Sequence, residues 1–86
     1  MATSVEVYVK PCDDQDEITL ELAEVLDCDF SFTVLDDGSR IIHGVAQSGD
    51  IHDVREKLER SAACRAESIR IETPQMRIEW NPTCKQ

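Results

Sequence analysis

The apolar residues of this chain switch back and forth between a two-residue and a helical period, and the order of those switches constrains its fold more than any other feature. Ser4 to Lys10 alternates strictly, with Val5, Val7 and Val9 on one side and Glu6, Tyr8 and Lys10 on the other, which predicts a strand with one buried face. Pro11 and Cys12 break it, and Asp13 or Asp14 is positioned to cap a helix whose first turn is rich in acids, as the helix dipole prefers. Ile18, Leu22, Val25 and Leu26 then recur at helical spacing and form a core stripe. Phe30 to Leu35 and Arg40 to Gln47 read as two strands joined by a turn at Asp36-Asp37-Gly38-Ser39, where the glycine supplies a positive φ.

Ser48-Gly49-Asp50 introduces a second helix with Asp50 as its cap and Ile51, Val54, Leu58 and Ala62 as its buried stripe. Its outer face pairs Asp53 with Lys57 and Glu56 with Arg60, each acid four residues ahead of its base. Ser68 to Thr73 and Met76 to Trp80 alternate as two last strands around a turn at Thr73-Pro74-Gln75, with Trp80 expected to cover the core. The order β-α-β-β-α-β-β predicts an α+β fold: the ferredoxin-like βαββαβ plait with an extra C-terminal strand, two helices on one face of an antiparallel sheet. Right-handed crossovers, with the last strand pairing with the fourth as a hairpin, lead to a sheet order of 5-4-1-3-2. A chain of 86 residues is read as a single domain, 1–86, with one small core.

Such a fold hosts many functions, so function must be sought in what the surface carries. Ten acids and no base fall between Pro11 and Ser39, whereas Arg40 to Gln86 holds eight bases against seven acids. Nearly all of the net charge of −9 therefore belongs to one third of the chain. Wound as a helix, Asp16, Glu17, Glu21, Glu24 and Asp27 share the side opposite the core stripe, with Leu20 among them. The like-charged pairs Glu17–Glu21 and Glu21–Glu24 each cost roughly 0.2–0.5 kcal/mol, and no lysine on the helix relieves them. These six residues are the candidate partner-binding surface, an acidic ring around an outward leucine that suits a protein with a basic surface. The same acidity also suits a protein of a salt-rich cytoplasm, where it needs no partner, or a phage-type inhibitor whose carboxylates imitate a phosphate track.

Direct nucleic-acid binding is not expected, because the sheet offers Tyr8 between Glu6 and Lys10 rather than aromatics ringed by bases. No apolar run approaches the roughly 20 residues that span a bilayer. The first ten residues lack a leader pattern, so Cys12, Cys28, Cys64 and Cys84 are expected to be reduced thiols of a cytoplasmic protein. Cys28, Cys64 and Cys84 fall at one pole of the plait and form a weaker candidate for a soft-metal site. His43 is assigned to the core or to the open sheet face beside Tyr8, and His52 to the exposed start of the second helix. No nucleophile–base spacing or phosphate-binding glycine loop is present.

The resulting expectation is a non-enzymatic, cofactor-free interaction, regulatory or inhibitory module that binds a basic protein partner through its first helix. The alternative is a ligand- or metal-responsive regulatory domain that pairs as a homodimer through a sheet edge.

Overall fold

The computed structural model describes residues 2–47 and 50–84. Its elements run β1 (Thr3–Val9), α1 (Gln15–Leu26), β2 (Phe30–Val34), β3 (Arg40–Ala46), α2 (Ile51–Glu59), β4 (Ser68–Glu72) and β5 (Arg77–Trp80), with a 3-10 turn at Ala62–Arg65. The strands form one five-stranded antiparallel sheet in the order β2-β3-β1-β4-β5. This is the strand order expected from the sequence. Of the loop that precedes α2, Ser48 and Gly49 lie outside the described residues.

β1 occupies the centre, and its alternation sorts the sheet into two faces. Thr3, Val5, Val7 and Val9 are buried. The pairing register extends this inward face across the sheet as Phe30–Gly44–Val5–Ile71–Ile78 and Phe32–Ile42–Val7–Ile69–Trp80. Onto it pack Ile18, Leu22 and Leu26 of α1 and Ile51, Val54 and Leu58 of α2, all within one core cluster. Trp80 lies against that cluster as expected, with the Arg55 guanidinium 4.8 Å from its ring centroid. Val25 is only half-buried, so the stripe of α1 is narrower than its sequence suggests. The opposite sheet face carries Glu6, Tyr8, His43, Arg70 and Glu79.

Local chemistry explains where the elements stop. Asp50 caps α2 by accepting from the backbone N–H groups of His52 and Asp53 at 3.0 and 3.3 Å. The expected Lys57–Asp53 and Arg60–Glu56 pairs form on its outer face. The helix ends at Glu59, earlier than its apolar stripe implies. Ser61 donates its hydroxyl to Leu58 O at 2.8 Å and accepts from Ala63 N at 3.1 Å, diverting Ala62 into the 3-10 turn.

α1 begins after Asp14, whose side chain makes no capping bond. Gln15 ties the helix start to the sheet instead, donating from Nε2 to Lys10 O at 3.1 Å and to Gly38 O at 3.0 Å. Gly38 has a φ of 88° at the β2–β3 turn. The neighbouring Asp37 accepts from Ser39 N and Ser39 Oγ, and these bonds hold its carboxyl below the usual range.

Gly44 answers a different demand. The Phe30 ring lies against it, and a Cβ there would stand 2.8 Å from Phe30 Cδ2 and 2.9 Å from the Asp29 carbonyl oxygen. Gly44→Ala is therefore expected to lower stability by about 1–3 kcal/mol through overpacking, measured by urea unfolding. An unchanged midpoint would mean that the Phe30 ring moves aside freely.

Cys64, in the 3-10 turn, is disulfide-bonded to Cys84 beyond β5, with the two Cα atoms 4.8 Å apart. This overturns the expectation of four reduced thiols. Charge and hydropathy report burial and say nothing of which sulfurs meet, whereas the antiparallel return of β5 beside β4 brings the tail back under the 3-10 turn. The bond closes a loop of sequence separation 20, for which chain entropy implies about 3 kcal/mol of stabilisation. Unfolding in the presence and absence of reductant is expected to differ by that amount.

Candidate functional site

The outer side of α1 follows from what its inner side buries. With Ile18, Leu22 and Leu26 turned into the core, Leu20 is left 68% exposed. Glu17, Leu20, Glu21, Glu24 and Val25 line a shallow open depression around it. Asp16, Glu17, Glu24 and Asp27 are exposed and Glu21 is half-buried. Asp16, Glu17, Leu20, Glu21 and Glu24 thus share the solvent side of α1, and Asp27 follows as its C-cap.

Their charges are not all free, and here the sequence expectation needs correcting. Arg40 Nη1 donates to Asp16 Oδ1 at 2.9 Å and to Thr19 Oγ1 at 3.2 Å. Arg65 donates to Asp14 and, at 3.4 Å, to Glu17. Those bonds, the one to Asp14 first, raise the affinity of the Arg65 guanidinium for its proton. Both arginines are remote in sequence, so a helix that is acidic along the chain is neutralised across space at its N-terminal half. Arg40 is anchored for this role, with its guanidinium carbon 3.9 Å from the Phe32 ring centroid.

The C-terminal half is left uncompensated. Glu21, Glu24 and Asp27 make no ion pair among the described residues. The last turn of α1 has no basic residue, and Asp27 ends it in the left-handed conformation at φ 49° and ψ 50°. Carboxylates there add to the negative end of the helix dipole, an unfavourable placement that an external cation would relieve. A second open depression, lined by Ala23, Glu24, Asp27, Cys28 and Asp29, carries the acidic surface from α1 toward β2.

Cys28 sits in that depression and packs against the core. Burial first, then the charges of Asp29 and Asp27, push its thiol pKa up, so it is held protonated. Cys64 and Cys84 are consumed by their disulfide, and no cluster of three metal-ligating side chains occurs among the described residues. The weaker metal candidate, Cys28, Cys64 and Cys84, is therefore not assembled: topology brought two of the three sulfurs together and oxidation removed them as ligands. Exposed Cys12 is the other free thiol. Alkylation of the oxidised protein at neutral pH is expected to modify Cys12 well before Cys28, as peptide mapping would register; the reverse order would contradict the burial of Cys28.

On the open sheet face, Arg70 is held by Glu6 at 2.7 Å and lies 3.8 Å from Glu79. His43 is exposed there, opposite Glu6 in register, and its Nδ1 is 3.3 Å from Ser31 Oγ. This settles its two assignments in favour of the open face. The Tyr8 hydroxyl lies 3.3 Å from Ser39 Oγ. His52 is exposed in the first turn of α2.

No helix among the described residues is long and apolar enough to cross a membrane. Comparison with protein-family models, curated proteins and solved structures finds no match to this chain.

Proposed function

We propose that the protein is a small, non-enzymatic interaction module that binds the basic surface of a partner protein through the C-terminal half of α1. Leu20, Glu21, Glu24 and Asp27 form the working surface, with Val25 lining the same depression as the leucine. Asp16 and Glu17 act at its margin, because Arg40 and Arg65 already engage them. The observation that carries this reading is the coincidence of an outward leucine with carboxylates that have no ion-pair partner among the described residues. Lysines or arginines of the partner would relieve the like-charge and dipole penalties at the helix end. The leucine and the half-buried valine would supply apolar contact. The order of elements and the sheet order β2-β3-β1-β4-β5 support reading the fold as a ferredoxin-like plait extended by β5.

The test is capture of partners from source cells with the wild-type protein and with the Glu21→Lys/Glu24→Lys variant, identified by mass spectrometry. The variant is expected to keep its circular dichroism spectrum and lose the specific partner. Leu20→Ala is expected to weaken binding of that partner about tenfold with little change in thermal midpoint, since the side chain is exposed. Equal capture by both proteins would contradict the proposal.

A further inference from the structure

The two edges of the sheet are built differently. β5 is four residues long, carries Arg77 and Glu79, and has Pro74 and Pro82 close on either side. Charge, brevity and proline are the ordinary guards against strand addition. β2, at the other edge, is Phe30-Ser31-Phe32-Thr33-Val34, with no charge or proline within the strand and acids only at its flanks.

Its side chains are also available. Val34 is 59% exposed and Leu35 36%, and Phe32 is 45% exposed with the Arg40 guanidinium over its ring. The backbone orientation follows from the hairpin register. Leu35 N donates to Ser39 O at 2.7 Å, in the same register that pairs Val34 with Arg40. Antiparallel alternation then turns the N–H and C=O groups of Ser31 and Thr33 toward β3, and those of Phe30, Phe32 and Val34 outward. An incoming strand would meet a row of free donors and acceptors flanked by apolar side chains.

The charges around the strand select what can occupy it. Asp27 and Asp29 precede β2, and Asp36 and Asp37 follow it. A second copy of this chain paired antiparallel about Phe32 would crowd Asp29 of one copy beside Asp36 of the other at both ends of the pair, and such like charges oppose self-association. We propose that the β2 edge is a strand-addition site for an extended peptide segment with alternating apolar residues and lysine or arginine at both ends. Acids at both ends of β2 make this selection independent of strand direction. The inference rests on strand geometry rather than on the helix face, and either can fail alone.

The probe is a synthetic peptide with a central valine–threonine alternation and two lysines at each end, titrated into the full chain by calorimetry. Binding is expected to be accompanied by slowed amide exchange at Phe30, Phe32 and Val34. Val34→Pro removes an outward N–H and spares the β2–β3 bonds, and is expected to weaken binding at least about tenfold. Val34→Lys, a milder change at an exposed position, is expected to act in the same direction. Peptides with glutamates at the ends, or with lysines around a glycine–serine centre, are expected to bind at least about tenfold more weakly. Absence of binding, binding unaffected by either variant, or equal binding of either control peptide would overturn the proposal. So would a dimer formed without peptide in sedimentation, because it would make a second copy the occupant.

Discussion

The valines of β1 are the constraint on which the rest of this structure depends. A small chain with a net charge of −9 must hold together against its own field, and it does so by placing its most regular apolar strand at the centre of the sheet. β3 and β4 pair with the two edges of β1, while both helices pack on its inner face. Every long-range feature then follows from which neighbour β1 brings close. The return of β3 delivers Arg40 to the start of α1. The connection from α2 to β4 delivers Arg65 to the same helix.

Those two arginines decide where the negative field acts. They meet Asp14, Asp16 and Glu17, and leave Glu21, Glu24 and Asp27 without a cation among the described residues. The ion pairs are exposed on the acid side and add little to stability by themselves. Their consequence is positional: the potential of the acidic segment is shifted toward the end of α1 and the approach to β2. The helix face and strand edge proposed above would therefore share one charge preference, one offering a leucine and the other a free backbone.

The elements were legible in the sequence because each is written in a period. The valines at 5, 7 and 9 and the stripe Ile18–Leu22–Leu26 gave strand, helix and facing together, and right-handed connections gave the sheet order. The candidate surface was legible to the same degree: Leu20 is outward because its helical phase opposes the core stripe. Contacts that join remote positions were not legible. Arg65 and Asp14 are 51 residues apart, Arg40 and Asp16 are 24 apart, and the disulfide spans 20. Counting charges along the chain made the first helix look uniformly bare, whereas folding neutralised its first half. The early end of α2 was hidden for a related reason, since Ala62 keeps the helical phase while Ser61 diverts the backbone.

Uneven compensation of charge along α1 determines where a small multivalent cation gathers on the protein. Titration of hexaamminecobalt(III) into isotope-labelled protein, followed through backbone amide shifts, is expected to perturb the stretch from Leu20 to Asp29 and to leave the turn from Asp14 to Glu17 nearly silent. Shifts centred on Asp14 to Glu17, or spread evenly over all ten acids of the segment, would contradict it.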